Sequence, residues 1–320
     1  MISVVFSTRN GVRTLVRTCD ALCRVDAPSG GWELIAVDNA STDDTAAVLA
    51  RYRTRLPLTV LSCPTPGKNI ALNLALAHVK GDLVVFTDDD VLPARDWLMA
   101  MKAVATEQAS VAVFGGRILP EWPFPPPEWV LGHVDLAVAF GLHSDDMPEG
   151  LDVPWVVWGG NMMIRASVFR GGIRFNEALG PAPGQYVMGG ETELVRRLSA
   201  AGHRCYFSNR PVVKHIIRPD QLTRCWTLHR ARRHGKWLCV EESMVRPEQQ
   251  RVALVFGVPR WRVRRLLTEY LRASAKGGWF ATRASYRHSW NVQLELGFCA
   301  QSRAMSRATH PATTPGQAGS

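Results

Sequence analysis

Short apolar runs alternate with helical patterns over the N-terminal part of the chain. Four runs of β-branched and apolar residues predict buried strands, at residues 2–7, 33–38, 58–61 and 82–87. Apolar residues recur at helical spacing after each of the first three runs, as they do for Leu15, Cys19 and Leu22. Strands that alternate with helices of about ten residues form βαβ units, so the pattern predicts an α/β fold with a mostly parallel sheet.

The alternation becomes less regular further along the chain. Helices are predicted at residues 94–106 and 191–201, and strands at residues 111–117, 153–158, 205–207 and 211–215, the last two as short edge strands. From about residue 219 the pattern is basic and helical, and residues 301–320 are rich in Ala, Thr, Ser, Pro and Gly. We therefore expect an α/β domain at 1–217, a basic helical extension at 218–300 and a disordered tail at 301–320.

The charge of the chain is concentrated in its C-terminal third. The 320 residues include 38 Lys+Arg and 28 Asp+Glu, and residues 210–287 alone hold 18 Lys+Arg against 5 Asp+Glu. Arginines interleaved with Trp and Leu in this region are typical of a helix lying on an anionic membrane surface. A helical cap packed on the core and a homodimer contact also fit the pattern, whereas a nucleic acid partner is not expected.

Cysteine usage and hydropathy bear on the location of the protein. Seven cysteines occur without a CxxC pair, and no apolar run reaches the roughly 18 to 20 residues that cross a bilayer. The first residues lack the basic start of a signal peptide. We expect a reduced, cytoplasmic protein, with any membrane contact peripheral and at the inner face of the cell membrane.

Polar side chains follow three of the predicted strands at the points where they end. These clusters are residues 8–10, residues 38–39 and the acidic triplet 88–90. The carboxyl ends of parallel strands meet at one edge of a sheet, where ligands of such folds bind. Adjacent carboxylates suit a hard cation such as Mg²⁺ or Mn²⁺. Because the chain lacks both GxxxxGK[ST] and GxGxxG, a nucleotide held through a metal-bridged diphosphate fits best.

Six segments in a fixed order carry a family resemblance. VVFSTRN, VDNASTDDT, PGKNIALNLAL and GDLVVFTDDD are followed by WGGNMMIRASVF and by GGETELVRRLSAAGHRCYFSNRPVVKH. Over about residues 2–235 the chain resembles the family 2 glycosyltransferases. The resemblance implies the GT-A fold, which is Rossmann-like with a mostly parallel central sheet flanked by helices, here with a basic helical C-terminal extension. It also implies an inverting transfer from a nucleotide-sugar to a hydroxyl.

The resemblance assigns roles to individual residues. Glu191 matches the general base, and Asp90 the metal-binding carboxylate of the DXD motif. His215 matches a late histidine that reaches the metal or the diphosphate, with Asp88 as a further metal ligand. The donor contacts are expected from Thr8, Arg9, Asp38, Ser41, Lys68, Asn73, Asp88 and Asp89. The acceptor contacts are expected from Trp158, Gly160 and Asn161.

The chain departs from the usual family pattern at three positions. Gly190-Glu191 stands where a Glu-Asp pair is common, Arg9 where an aromatic residue is common, and Leu72 where an Arg often precedes Asn73. A UDP-sugar is the favoured donor, and the acceptor hydroxyl belongs to a polysaccharide, a glycolipid or a natural product. Two other interpretations stay open at this stage, a nucleotidyltransferase and a non-catalytic nucleotide- or polyanion-binding module that uses the basic third.

Overall fold

Residues 1–182, 184, 186–245, 254–275 and 283–309 are described by the computed structural model of the chain. They divide into two units, the first formed by Met1–Pro126 with Asp135–Gln221 and the second by Pro127–Val134 with Leu222–Ser320. The predicted boundary follows residue 217, and the two units change over between Gln221 and Leu222. The sequence did not indicate that residues 127–134 belong with the C-terminal unit.

The N-terminal half of the first unit follows the predicted alternation. Its elements are β1 (Ile2–Thr8), α1 (Val12–Leu22), β2 (Trp32–Asn39), α2 (Thr45–Tyr52), β3 (Leu58–Cys63), α3 (Lys68–Leu76), β4 (Leu83–Phe86), β5 (Val91–Pro93), α4 (Trp97–Glu107) and β6 (Val113–Glu121). Helix α1 buries Leu15, Cys19 and Leu22, the positions whose spacing predicted it. Along the chain there follow α5 (Glu128–His133), α6 (Leu136–Phe140), β7 (Gly150–Leu151), β8 (Met162–Arg165), α7 (Ala166–Arg170), α8 (Gly190–Ala200) and β9 (Cys205–Ile216).

A nine-stranded sheet forms the centre of this unit. Its order is β3-β2-β1-β4-β8-β6-β9-β5, and β7 pairs with β9. Strands β3, β2, β1 and β4 are parallel, whereas β8 is antiparallel to both β4 and β6. Val4, Val5 and Phe6 of β1 are fully buried, as expected for a strand covered on both faces. The α/β fold with a central sheet flanked by helices is therefore confirmed.

Two strand predictions are wrong, and proline accounts for both errors. Residues 153–158 contain a short 3-10 helix, Pro154–Val156, since Pro154 has no N–H to donate to a ladder. The two predicted edge strands at 205–207 and 211–215 form the single strand β9, which pairs with β6, β5 and β7. The β6–β9 register shifts between Ser208 and Val212, so that Pro211 lies in the irregular part of the ladder.

In its described residues, the C-terminal unit consists of helices and one small hairpin. Besides α5 it contains α9 (Arg224–Val245), β10 (Leu254–Val255), β11 (Val258–Pro259), α10 (Arg260–Ala275) and α11 (Arg283–Thr309). Disorder was predicted from residue 301, and this is corrected for 301–309, where α11 continues. Residues 310–320 lie outside the described part. Among the helices of the described ranges, none is both long enough and apolar enough to cross a membrane.

Two glycines bring α9 and α11 into direct backbone contact. A Cβ atom at Gly235 would lie 1.9 Å from the Leu294 carbonyl oxygen, and one at Gly297 would lie 1.9 Å from the Arg232 carbonyl oxygen. The two pairings run in opposite directions along the sequence, so the helices are antiparallel. Because both clashes involve backbone atoms, a side chain at either glycine forces the helices apart.

We expect Gly297→Ala to lower the free energy of unfolding of the chain by about 1–3 kcal/mol, the usual cost of overpacking. Chemical denaturation followed by far-UV circular dichroism measures this change. The matched control is Gly132→Ala in α5 of the same unit, where an added Cβ meets no atom within 4 Å. Alanine favours the helical conformation, so the control variant is expected to be at least as stable as the native chain. Equal stabilities of the two variants would contradict the close crossing.

Candidate functional site

The acidic triplet lies between β4 and β5, at the carboxyl end of the parallel strands. Its three carboxylates face three different partners. Asp88 Oδ1 lies 2.6 Å from Lys68 Nζ, and Asp90 Oδ2 lies 3.2 Å from His215 Nε2. Asp89 accepts a short hydrogen bond from the hydroxyl of Thr8. Separate partners relieve the repulsion between neighbouring carboxylates, which allows three of them to share one strand end.

Lys68, the first residue of α3, joins two predicted functional carboxylates. Its Nζ lies 2.6 Å from Asp88 Oδ1 and 2.5 Å from Glu191 Oε1, at the start of α8. Burial opposes the charged form of Lys68, but Asp88 and Glu191 raise the pKa of this ammonium well above its ordinary value. Burial raises the pKa of the Asp88 carboxyl, with Lys68 acting in the opposite direction. The site therefore holds a charged lysine between the two carboxylates.

Asp90 is paired with a histidine whose ring orientation is fixed. His215 Nδ1 lies 2.6 Å from the carbonyl oxygen of Phe140, to which it donates, and this leaves Nε2 facing Asp90. Arg218 Nη1 stands 3.9 Å from the same carboxylate oxygen. Burial disfavours the charge on Asp90, but His215 and then Arg218 lower the pKa of the carboxyl below its ordinary value. Asp90 is therefore ionised near neutral pH.

Asp89 contacts the end of β1 and the start of the loop that follows it. The Thr18 hydroxyl donates to its backbone carbonyl at 2.9 Å, and a Cβ atom at Gly11 would lie 2.4 Å from its Oδ2. Burial, with a further contribution from Asp90, raises the pKa of Asp89 to about 7. These contacts give Asp89 and Thr8 a part in anchoring the β1–α1 loop beside the site.

The other predicted donor residues fall into two groups. Asp38 Oδ1 accepts from the Ser41 backbone N–H at 3.2 Å, and Ser41 Oγ accepts from the Asn10 N–H at 3.0 Å, so these residues join the loops after β1 and β2. Arg9 is exposed on the first of these loops. Asn73 lies in the second group, apart from these loops. Its amide exchanges hydrogen bonds with the Phe175 backbone and donates to Glu177 at 2.9 Å, so its polar atoms are already used within the fold.

The three acceptor candidates differ in their surroundings. A Cβ atom at Gly160 would lie 3.6 Å from Asp88 Oδ2, so its backbone borders the acidic cluster. Trp158 stacks on His143, with the ring centroids 4.1 Å apart and the planes 3° from parallel. Asn161 is completely buried, and its amide bonds to the carbonyls of Arg117 and Pro211 and to the Trp97 indole. An acceptor contact by Asn161 would require those bonds to break.

Two residues that lie at the site, Gly159 and Arg218, were not predicted from the sequence. A Cβ atom at Gly159 would lie 2.5 Å from Glu191 Oε1, so only glycine allows this carboxylate its position. The Gly159-Gly160 pair indicated a close approach to the backbone, but only Gly160 was predicted to belong to the site. Arg218 follows His215 closely in the chain, and an arginine after a candidate metal ligand indicates a further contact to an anion.

The donor atoms around Asp90 fit a divalent cation that is bound together with a phosphate group. Within the described ranges, no group of three or more His, Cys, Asp or Glu side chains is arranged to hold a metal by itself. However, Mg²⁺ is usually bound by one or two carboxylates, with waters and substrate phosphates completing its shell. Asp90 offers an oxygen, and the Nδ1–H···O=C bond fixes the His215 ring so that Nε2, which lies 3.2 Å from Asp90 Oδ2, can become a ligand once it has lost its proton. The donor atoms of this pair are of the kind that could hold a cation whose remaining ligands come from a diphosphate.

Comparison with known families gives a match over the first half of the chain. The model described as "Glycosyl transferase family 2" matches residues 3–172, which include both Lys68 and the acidic triplet. Glycosyltransferase AglE of Haloferax volcanii is 24% identical over 221 residues, which are 68% of this chain and 67% of AglE. Poly(ribitol-phosphate) beta-N-acetylglucosaminyltransferase TarS of Staphylococcus aureus is 34% identical over 92 residues, 28% of this chain and only 16% of TarS.

Solved structures share the fold over nearly the whole chain. A mannosyltransferase from Pyrobaculum calidifontis, in complex with GDP-Man and Mn²⁺, superposes with a TM-score of 0.56 at 18% identity, covering 98% of this chain and 76% of that one. Residues 1–349 of S. aureus TarS, in complex with UDP, give a TM-score of 0.52 at 16% identity over 99% of this chain and 94% of that one. At these identities the likeness concerns the fold.

Proposed function

The chain belongs to glycosyl transferase family 2 and is a glycosyltransferase with the GT-A fold, and from this premise we propose that it uses a divalent cation and inverts the transferred sugar. Family membership confirms the resemblance and removes the support for the nucleotidyltransferase and non-catalytic interpretations. The observation that carries the proposal is the joining of Asp88 and Glu191 by Lys68, next to the Asp90–His215 pair.

Asp90 and His215 are the residues that would hold the cation in the proposed reaction. The cation would neutralise the negative charge that develops on the diphosphate leaving group. Arg218 stands beside Asp90 and adds a fixed positive charge that attracts the same diphosphate. The Mn²⁺ and GDP-Man reported for the Pyrobaculum mannosyltransferase, which shares the fold, support the use of a cation together with a nucleotide-sugar.

Glu191 is the proposed general base. Its carboxylate contacts Lys68, whose positive charge favours the ionised form that can accept a proton. An acceptor hydroxyl is a weak nucleophile until a base removes its proton, and a positioned carboxylate contributes typically 10²–10⁴-fold to such a step. A single displacement then forms the new glycosidic bond on the face opposite the leaving diphosphate. This step inverts the anomeric carbon and needs no covalent sugar–enzyme intermediate.

We propose a UDP-sugar as the donor and a hydroxyl of a polysaccharide, glycolipid or natural product as the acceptor. Solved structures that share the fold contain UDP, UDP-GlcNAc or GDP-Man, and this range supports a nucleotide-sugar without naming one for this chain. The loops joined by the Asp38–Ser41 and Ser41–Asn10 bonds form the edge where a nucleoside would contact the protein. A cytoplasmic place of action agrees with the use of a nucleotide-activated sugar.

The proposal is tested by release of nucleoside diphosphate from a panel of UDP-, GDP- and dTDP-sugars, with and without Mn²⁺ or Mg²⁺. We expect one nucleotide to be preferred and its release to require the cation. Calorimetric titration with the corresponding diphosphate separates binding from turnover. Undiminished release in the presence of EDTA would contradict the metal dependence, and failure to bind any nucleotide would contradict the assignment of the donor site.

A further inference from the structure

Helix α10 buries charged residues and exposes apolar ones, which is the reverse of an ordinary amphipathic helix. Arg262 and Glu269 are nearly inaccessible, whereas Leu267 and Leu271 have 59% and 67% of their surface exposed. Exposed leucines next to buried ionic groups cost stability in water without an evident folding benefit. Such an arrangement indicates that the exposed face is used for binding.

Contacts with α11 fix the rotation of α10 about its axis. Arg262 Nη1 donates to Glu295 Oε1 at 2.9 Å, and Glu269 Oε2 lies 2.7 Å from His288 Nδ1. Both pairs are inside the C-terminal unit, and breaking either would remove a direct partner from charges that are buried. The outward position of Leu267 and Leu271 is therefore held by the paired groups on the inner face.

The hairpin before α10 presents an aromatic side chain in the same unit. Its two-residue turn, Phe256-Gly257, has φ values of +51° and +73°, the pattern of a type I′ turn that favours Asn-Gly. Phe256 occupies the asparagine position although a bulky residue is strained there, and 85% of its surface is exposed. The Ser302 hydroxyl of α11 donates to the Gly257 carbonyl at 2.6 Å, which holds the turn in place.

The charge around these side chains selects the partner. The segment from Leu254 to Ala275 holds five arginines and a single acidic residue, the buried Glu269. Arg260 and Arg264 are exposed, and helical spacing places them on the same side of α10 as Leu267 and Leu271. A second copy of this face would bring like charges together, whereas an anionic lipid surface offers both phosphates and an apolar layer.

We propose that the hairpin tip and the outer face of α10 dock onto an anionic membrane surface. Phe256, Leu267 and Leu271 enter the boundary between headgroups and acyl chains, while Arg260 and Arg264 contact the lipid phosphates. The surface would bring the enzyme to an acceptor or a product at the membrane. Its role in membrane binding does not depend on the transfer chemistry proposed above.

Flotation of the full chain with lipid vesicles, in the absence of donor and acceptor, tests the proposal. The vesicles contain phosphatidylcholine alone or phosphatidylcholine with about 30% phosphatidylglycerol, at roughly 0.15 M salt. We expect binding to the anionic vesicles and little binding to the neutral ones. Equal binding to both compositions, or no binding to either, would overturn the proposal.

Two sets of substitutions connect the binding to these side chains. Phe256→Asn suits the turn and should weaken vesicle binding about tenfold. The double substitution Arg260→Gln with Arg264→Gln should weaken vesicle binding roughly 10- to 30-fold. The matched controls lie in the other unit at exposed positions, Phe124→Asn and the pair Arg51→Gln with Arg53→Gln. The controls should change binding less than about twofold.

The folded state and the association state of each variant are measured alongside. Unfolding midpoints equal to that of the native chain show that a loss of flotation reports on the surface and not on folding. If the α10 and hairpin variants float as well as the controls, the assignment of this surface is wrong. If Leu267→Gln with Leu271→Gln converts a native dimer into a monomer in light scattering without lipid, a second copy of the chain is the partner instead.

Discussion

Asp90→Asn is expected to lower metal-dependent release of nucleoside diphosphate by about 10³-fold or more, because it removes the charged oxygen nearest to His215 and Arg218. The substitution keeps the shape of the side chain and changes its charge alone. Initial rates over a range of Mn²⁺ concentrations measure the effect, and calorimetry with the diphosphate shows whether nucleotide binding still responds to the cation.

The matched control for this prediction is Asp82→Asn, at the opposite end of β4. Asp82 is exposed, and its carboxylate lies 3.4 Å from the N-terminal ammonium. We expect its rates to stay within about twofold of the native chain, as for a surface ion pair of little energetic weight. A variant of Asp90 that retains full activation by Mn²⁺ would contradict the assignment of the metal ligand.

Glu191→Gln is expected to lower sugar transfer by about 10²–10⁴-fold while donor binding changes only a few-fold. Glutamine keeps the length of the side chain but cannot accept the hydroxyl proton. Single-turnover transfer at saturating donor measures the chemical step, and calorimetry measures binding of the donor. A proportional loss of both quantities would indicate that Glu191 holds the donor and does not act as the base.

Two further variants of α8 sharpen this test. Glu193→Gln changes a carboxylate two positions along the helix, where it pairs with Arg197 at 2.9 Å, and is expected to retain transfer. Glu191→Asp keeps a carboxylate at this position but shortens the side chain by one methylene group, and Asp is the residue that the family commonly carries here. Because Gly159 borders the glutamate carboxylate closely, we expect Asp to recover only part of the activity. Full activity of the Gln variant would exclude Glu191 as the base.

Local patterns in the sequence were sufficient to predict most of the sheet and the edge of it at which the strand-end polar residues lie. The apolar runs of β1, β2 and β4 are buried, and the polar residues that follow them meet at one edge, because parallel neighbours align their carboxyl ends. The errors occurred where proline or small residues made the local pattern ambiguous. The run at 153–158 lacks ladder pairing at Pro154, and the small residues of 301–309 extend α11.

The sequence by itself determined the family, the α/β alternation and the residue types at the strand ends, because each depends on local spacing and burial preference. The tertiary structure decided which charged groups meet. Lys68 at the start of α3 pairs with Asp88, in the loop after β4, and with Glu191, in α8. His215 pairs with Asp90, which is 125 positions away in the chain. It also turned Asn161 inward and Leu267 outward. These outcomes depend on packing between segments that are distant in the chain, and a local sequence pattern does not predict that packing.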